Sequence, residues 1–223
     1  MNEVSFPVVE IFDSIDGEGK RTGQLATFIR LAGCNIRCSY CDTPYALMKD
    51  DGEMMPMGKI IEAVEKIGNK NITITGGEPL SVQKVSDLIF ELSENGYEVN
   101  IETNGTLDIM PFLNKKNIFV TMDYKTASSG MRDQMKMSNI QSLRKKDVLK
   151  IVCKEKDFDE IEDMLRRCKP IAKVYISPIY REIDAEKLVG FIKKLRDDGI
   201  ALESVQMQVQ LHKIVWRPEE RGV

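Results

Sequence analysis

The chain has 223 residues, of which 42% are hydrophobic and 30% charged, as is ordinary for one globular domain spanning residues 1–223. Its formal net charge is -3, from 32 Lys and Arg against 35 Asp and Glu with no basic run, which argues against a nucleic-acid partner. No apolar run approaches the about 20 residues of a membrane span and no basic leader opens the chain, so we expect a cytoplasmic protein without a membrane partner.

The first segments are a short apolar run and a predicted strand that leads to a cluster of cysteines. Residues Phe6 to Ile11 form the apolar run, and the glycine-rich sequence DSIDGEGKRTG after it predicts a long loop. The sequence ATFIRLAG has the apolar and β-branched content of a strand and runs directly into Cys34. Active sites of parallel α/β proteins collect at the carboxyl ends of strands, and this predicts the same place for the cysteines.

Strand-like and helix-like segments then alternate along the chain. Further strands are predicted at residues 71–75, 97–102, 118–122, 148–153 and 174–178. Helices are predicted at residues 57–67, around 85–92, and at 158–168 and 185–198. This alternation predicts an α/β fold with a parallel sheet and helices outside. The roles of residues 45–56 and 131–146 do not follow from their patterns.

Three cysteines on one short loop are the strongest chemical signal in the sequence. Cys34, Cys38 and Cys41 follow the spacing C-x3-C-x2-C. Three soft sulfur donors suit an iron-sulfur cluster or zinc better than a hard cation, and a closed site needs four protein ligands. The loop is one ligand short, which favours a cluster with one iron open to a small molecule.

Other interpretations of the cysteines remain open. A disulfide within the loop would leave an odd thiol. A structural zinc ion completed by Cys153, Cys168 or His212 is possible, although zinc ligands usually come in two short clusters. Cys153 ends a strand-like run and Cys168 continues the apolar face of a predicted helix, so both are predicted core residues. A zinc or electron-transfer module without catalysis is therefore an alternative.

With Tyr40 before the last cysteine, the loop resembles the signature of the radical S-adenosylmethionine (SAM) enzymes, and TGGEP at 75–79 resembles their second motif. The resemblance implies that the three cysteines hold a 4Fe-4S cluster whose fourth iron is chelated by the methionine part of SAM. It also implies an incomplete TIM-like barrel of about six parallel strands. The SAM contacts that it implies are Tyr40, Asp42, Gly76, Gly77, Asp123, Tyr124 and Lys125.

The sequences SIDGEG, FIRLAGCN, CDT and QLHKIVW together resemble the 7-carboxy-7-deazaguanine synthase family of 7-deazapurine (queuosine-type) biosynthesis. The resemblance implies a lyase that contracts the ring of 6-carboxy-5,6,7,8-tetrahydropterin with loss of ammonia. It implies a magnesium ion on Thr43, an electron donor such as flavodoxin or ferredoxin, and a homodimer. The implied substrate contacts are Ile15, Asp16, Gly17, Glu18, Arg30, Thr75 and His212.

One substrate position departs from the family pattern. The family commonly has Gln where this chain has Asp16, and an ionised carboxylate accepts hydrogen bonds but does not donate them. Backbone contacts from the loop do not depend on that side chain. His212 is the only histidine of the chain, so its place near the substrate is also implied by resemblance alone.

The second hypothesis is a small radical activase that installs a glycyl radical on another protein. Such an enzyme would share the cysteine loop but would need a protein-docking surface in place of a pterin pocket. The SIDGEG loop, Arg30 and Thr43 would then have no explanation.

Overall fold

The computed structural model describes residues 3–182, 184–200, 204–217 and 220–223, and nine strands of one sheet lie within them. The strands are β1 (Ser5–Ile15), β2 (Leu25–Leu31), β3 (Glu53–Pro56), β4 (Asn71–Gly76), β5 (Glu98–Thr103), β6 (Ile118–Tyr124), β7 (Val148–Cys153), β8 (Lys173–Pro178) and β9 (Val205–Met207). Their order in the sheet is β3-β1-β2-β4-β5-β6-β7-β8-β9.

The sheet is mostly parallel and does not close. Strand β2 and strands β4 to β9 pair in parallel, whereas β1 pairs antiparallel with β2 and β3 at one edge. The predicted α/β fold with an incomplete barrel is therefore confirmed, with one parallel strand more than the six expected. The additional strand, β9, has only three residues, too few to show a pattern in the sequence. Strand β3 lies in the segment to which the sequence assigned no structure.

The four predicted helices lie close to their predicted positions because their apolar residues recur at the helical period, whereas three helices of four to six residues in the described part of the chain were not predicted. In α1, Ile60 and Val64 are buried, and Gly68 ends the helix in the left-handed conformation at φ 87°. The helices are α1 (Met57–Ile67), α2 (Val85–Glu94), α3 (Met110–Leu113), α4 (Met137–Ser142), α5 (Phe158–Cys168), α6 (Ala185–Asp197) and α7 (His212–Val215).

Two apolar clusters form the core between the sheet and its helices. Full burial of one Leu or Ile side chain stabilises a fold by about 1.5 to 3 kcal/mol, so clusters of this size account for most of the favourable free energy of folding. Cys153 is buried in the larger cluster and Cys168 packs against it. The prediction that both are core cysteines is confirmed.

The loop of residues 16–24 connects the β1–β2 hairpin to the far end of the sheet. The backbone N–H of Gly19 donates to Gln208 Oε1 at 2.6 Å, and Gln208 Nε2 donates to Thr22 Oγ1 at 2.7 Å. The backbone N–H of Leu211 donates to the Gly17 carbonyl at 3.0 Å. These contacts bridge the open side of the barrel, where the strands themselves do not pair.

A buried ion pair holds the same loop against the sheet. Arg21 Nε donates to Asp16 Oδ2 at 2.7 Å, and the two side chains are only 5% and 2% exposed. The remaining donors of Arg21 reach Thr73 Oγ1 at 2.7 Å and the carbonyls of Ile72 and Glu98, each at 3.1 Å. Because each of the three guanidinium nitrogen atoms donates to the loop or the sheet, Arg21 fixes the loop's position.

No helix among the described residues is long and apolar enough to cross a membrane.

Replacing Arg21 by Met should lower the free energy of unfolding by about 3 kcal/mol, because the Asp16 carboxylate would stay buried without its partner. Urea denaturation followed by circular dichroism measures the change. The matched control is Lys59→Met, which removes an ion pair with Glu62 whose side chains are both 68% exposed. That change should cost less than about 1 kcal/mol. Equal losses from the two variants would contradict the role assigned to Arg21.

Candidate active site

A cavity of about 500 Å³ lies at the carboxyl ends of the parallel strands. Its lining includes residues that follow or end β2, β4, β5, β6 and β7, together with residues from the loop 16–24 and from the C-terminal segment. Every residue predicted for the site lines this cavity except Asp16 and Tyr124. The lining residues predicted from the sequence are Ile15, Gly17, Glu18, Arg30, Cys34, Cys38, Tyr40, Cys41, Asp42, Thr43, Thr75, Gly76, Gly77, Asp123, Lys125 and His212.

Asp16 and Tyr124 are the two predicted site residues whose side chains do not line the cavity. The carboxylate of Asp16 accepts from Arg21 and, at 2.8 Å, from the hydroxyl of Thr73, so it belongs to the ion pair that fixes the loop. The side chain of Tyr124 lies on the helix side of the sheet, where its hydroxyl donates to Glu160 Oε1 at 2.9 Å. Side chains alternate along a strand, so Tyr124 faces away from the cavity that Asp123 lines.

The cysteine loop begins where β2 ends and is held at several points. The backbone N–H of Cys34 donates to the Leu47 carbonyl at 3.0 Å, and that of Cys41 donates to the Cys38 carbonyl at 3.3 Å. The Tyr40 hydroxyl donates to the Val152 carbonyl of β7 at 3.1 Å. The loop therefore spans the carboxyl ends of the sheet from β2 to β7.

The donor chemistry of the loop fits an iron-sulfur cluster. All three thiols are free and line the same cavity, whereas Cys153 and Cys168 do not. Burial raises the pKa of Cys38 to about 11 and also raises that of Cys41, so these groups stay protonated until a metal stabilises their thiolates. In this conformation no three His, Cys, Asp or Glu side chains of the described residues stand at metal-ligand spacing. Binding a cluster would require the three side chains to converge.

Gly76 and Gly77 allow the end of β4 to contact the end of β2 through backbone alone. A Cβ atom at Gly76 would lie 2.0 Å from the Leu31 carbonyl oxygen, and φ there is 148°. A Cβ atom at Gly77 would lie 2.4 Å from the Gly33 carbonyl oxygen and 2.6 Å from that of Ala46. The glycines are thus required for packing of the cysteine loop, whatever ligand approaches them.

Glu78 and Asn104 link the glycine turn to the cysteine loop. The buried carboxylate of Glu78 accepts from the Asn104 backbone N–H at 2.6 Å and from the Thr103 hydroxyl at 2.8 Å. Burial raises the pKa of Glu78 to about 7 despite these donors. Asn104 Nδ2 in turn donates to Asn35 Oδ1 at 3.0 Å. The carboxyl ends of β4 and β5 are thereby joined to the residue after Cys34.

Buried charges line the cavity wall formed by β5, β6 and β7. Lys150 Nζ lies 2.9 Å from Glu18 Oε2 and 3.4 Å from Asp123 Oδ2, and Lys125 Nζ lies 2.8 Å from Asp123 Oδ2. Burial acts to lower the pKa of Lys150, but the neighbouring carboxylates outweigh it and hold that pKa well above its usual value. Burial raises the pKa of Glu102, whose Oε2 accepts from the Thr75 hydroxyl at 2.8 Å.

Arg30 and His212, both predicted to contact the substrate, line the same cavity. Arg30 Nε donates to Glu10 Oε1 at 2.7 Å, and the Arg30 side chain is 16% exposed. The ring of His212 lies against Gly17, where a Cβ atom would meet Nδ1 at 2.1 Å. Burial lowers the pKa of His212, so its neutral form is favoured.

Thr43 and Asp42 form a polar pair directly after the last cysteine. The Thr43 hydroxyl donates to Asp42 Oδ1 at 3.0 Å, and Lys213 Nζ lies 3.3 Å from Asp42 Oδ2. These oxygen atoms are of the kind that Mg²⁺ prefers.

Sequence reasoning missed several residues of the cavity. Lys150 and Glu102 are charged residues within strands made mostly of apolar or uncharged residues. A charged residue in a buried strand was the available signal, because charged side chains are rarely buried without a partner. Tyr45 and Arg221 also line the cavity, with the Arg221 guanidinium carbon 3.7 Å from the centre of the Tyr45 ring. Their meeting depends on the tertiary fold and has no local signal.

Replacing Gly77 by Ala should destabilise the protein by about 2 kcal/mol or more, because the added methyl group meets two backbone carbonyls that a side-chain rotation cannot move. Gly190→Ala is the matched control, since a Cβ atom there has nothing within 4 Å and the residue lies inside α6. That change should stabilise by about 0.5 to 1 kcal/mol. Urea denaturation of both variants gives the comparison, and a Gly77→Ala protein as stable as the wild type would contradict it.

Comparison with known proteins places the chain among characterised families. The model of the Radical SAM superfamily matches residues 28–195. A 7-carboxy-7-deazaguanine synthase of Clostridium acetobutylicum is 42% identical over 226 residues, covering 99% of this chain and 100% of that protein. The 7-carboxy-7-deazaguanine synthase of Thermoplasma acidophilum is 34% identical and covers 94% of this chain and 96% of its own.

Solved structures show the same fold. The crystal structure of QueE from Escherichia coli superposes with a TM-score of 0.69 at 22% identity, covering 92% of this chain and 94% of that one. Streptococcus suis SuiB bound to its precursor peptide SuiA superposes with a TM-score of 0.58 at 15% identity, covering 79% of this chain and 46% of that one. The family match over most of the chain and the full-length relatives together show that this chain is a radical SAM enzyme of the 7-carboxy-7-deazaguanine synthase family.

Proposed function

We propose that this enzyme converts 6-carboxy-5,6,7,8-tetrahydropterin to 7-carboxy-7-deazaguanine with loss of ammonia. The observation that supports the proposal most is that one cavity joins the cysteine loop to Arg30, Glu18 and His212. Radical chemistry and recognition of a carboxylated heterocycle would then occur in the same enclosed space. The full-length relatives that carry the name 7-carboxy-7-deazaguanine synthase support the same assignment.

The cysteine side of the cavity would hold the cofactors. Cys34, Cys38 and Cys41 would ligate the 4Fe-4S cluster, and the SAM contacts would come from Tyr40, Asp42, Gly76, Gly77, Asp123 and Lys125. When bound, the cluster and SAM supply one-electron radical chemistry that removes a substrate hydrogen. The protein orients the two ligands toward each other and excludes water.

The opposite side of the cavity would orient the substrate. Arg30 would exchange its pairing with Glu10 for a bidentate pairing with the substrate carboxylate. The Glu18 carboxylate would accept hydrogen bonds at the edge of the bicyclic ring, where the neutral ring of His212 could donate through one nitrogen and accept through the other. Thr75, whose hydroxyl already donates to Glu102, would add an oxygen acceptor.

The identity of the substrate can be tested by an anaerobic assay with dithionite, SAM, magnesium and the tetrahydropterin, followed by mass spectrometry. Formation of 7-carboxy-7-deazaguanine with one ammonia per product is the expected result. Cleavage of SAM without any deazapurine product would overturn the proposal and favour the activase hypothesis. Stoichiometric zinc in anaerobically purified protein would instead favour a non-catalytic metal site.

Replacing Cys38 by Ala should reduce the iron bound after anaerobic reconstitution to roughly a tenth or less of the wild-type amount, because two thiolates remain to hold the cluster. Iron analysis and visible absorption measure this. Cys168→Ala is the matched control, since this cysteine packs in the core away from the cavity. Loss of iron from both variants alike would contradict the assignment of the loop.

We also propose that Thr43 binds a magnesium ion that contacts the substrate carboxylate. Replacing Thr43 by Val keeps the side-chain shape and removes the oxygen ligand. The magnesium concentration for half-maximal activity should rise about tenfold, equivalent to about 1.4 kcal/mol. Iron content and SAM binding of the variant should match the wild type, and an unchanged magnesium requirement would exclude Thr43 as a ligand.

A flavodoxin or ferredoxin as electron donor, a homodimer and a cytoplasmic location complete the proposal. The family resemblance supports these three points, and the reducing cytoplasm would keep the loop thiols available for the cluster.

A further inference from the structure

Lys150 lies where the two sides of the cavity meet. It is the third residue of β7, and its side chain points into the cavity. Its ammonium group contacts Glu18, which belongs to the loop 16–24, at 2.9 Å. The same group contacts Asp123, near the end of β6, at 3.4 Å. One cation thus joins a residue of the predicted substrate side to one of the predicted cofactor side.

The three groups are largely removed from water. The side chains of Lys150, Glu18 and Asp123 are 15%, 9% and 18% exposed. Opposite charges in such surroundings attract each other more strongly than on the surface. Removing one partner also costs more free energy, because the other charge stays buried without compensation. Lys125 also pairs with Asp123, but in the described part of the chain no other Lys, Arg or His makes an ion pair with Glu18.

Each carboxylate has one oxygen atom with a weak protein partner or none among the described residues. Lys150 contacts Oε2 of Glu18 and Oδ2 of Asp123. Oε1 of Glu18 has a contact from the Ser177 hydroxyl at the long distance of 3.4 Å. Oδ1 of Asp123 is buried and has no hydrogen-bond partner among the described residues. Buried acceptors are normally paired, so these oxygen atoms indicate where donors of bound molecules would lie.

We propose that Lys150 is a positioning residue that holds Glu18 and Asp123 at a fixed separation, with one oxygen atom of each directed at the bound molecules. It acts on the substrate through Glu18 and on SAM through Asp123. This inference rests on the proposed function and adds to it a residue that sets the distance between substrate and cofactor. A small error in that distance would leave the radical formed out of reach of the substrate.

The test compares Lys150→Met, Glu18→Gln and the double variant in anaerobic, reconstituted enzyme. Calorimetry without reductant gives the dissociation constant of the pterin, and turnover gives the ratio of released 5'-deoxyadenosine to deazapurine product. Lys150→Arg keeps the charge and tests partial rescue. Lys146→Met is the matched control, because Lys146 precedes β7 at the other end of the sheet and donates to the carbonyls of Lys115 and Lys116.

We expect Lys150→Met to lower product formation by about 100-fold and to raise the released 5'-deoxyadenosine per product, because misplaced radicals react unproductively. The pterin dissociation constant of the double variant should equal that of Glu18→Gln, because Lys150 acts on the substrate through Glu18. Lys150→Arg should recover part of the activity, and Lys146→Met should match the wild type.

Additive effects of the two substitutions on pterin binding, or an unchanged ratio of 5'-deoxyadenosine to product in Lys150→Met, would overturn the inference. If Lys150→Met does not fold, Lys150→Arg decides, since that change moves the charge without removing it. A ratio of 5'-deoxyadenosine to product above the wild-type value would then support the inference, and an unchanged ratio would overturn it. Failure of the wild type to bind and convert the pterin would instead refute the proposed function, so the two failures are distinguishable.

Discussion

The contact between the ends of β2 and β4 is the constraint on which the rest of the site depends. Leu31 and Gly76 are neighbours in the parallel register, and the backbone continues from there as the cysteine loop on one strand and the glycine turn on the other. The Gly77 N–H donates to the Leu31 carbonyl at 3.0 Å, and the Glu78 N–H donates to the Gly33 carbonyl at 2.8 Å. Because the two backbone segments touch through main-chain atoms, the start of the cysteine loop stands at a distance from the sheet that no side-chain rotation alters.

The parallel strands place the other charged and polar residues of the cavity beside this contact. Successive parallel strands bring residues to the same edge, so that Thr75, Glu102, Asp123 and Lys150 line one cavity although they are separated along the chain. The hairpin and the loop 16–24 supply the missing side of the barrel. An open sheet therefore gains an enclosed cavity without closing its ladder of hydrogen bonds.

The long helices, the inner strands and the position of the cysteine loop were predictable because local sequence patterns encode them. Apolar periodicity located the long helices, β-branched runs located the inner strands, and cysteine spacing located the metal loop. The orientation of Tyr124 was predictable too, since a residue between two that face the cavity must face the other way. The burial of the Asp16–Arg21 pair against β4 depends on contacts between distant segments, and so do the two edge strands β3 and β9 and the meeting of Lys150 with Glu18. No local pattern encodes these contacts.

The bridge between Gly19 and Gln208 joins residues 189 positions apart in the chain. During synthesis the strands from β1 to β7 can pair as they leave the ribosome, yet the wall formed by residues 208–212 follows all nine described strands in the sequence. The contact can form cheaply only after the intervening strands have paired and brought the two segments together, because closing a long unfolded loop costs entropy. The nascent chain consequently cannot enclose a ligand until residues 208–212 have been synthesised, and an oxygen-sensitive centre assembled earlier would stand unprotected.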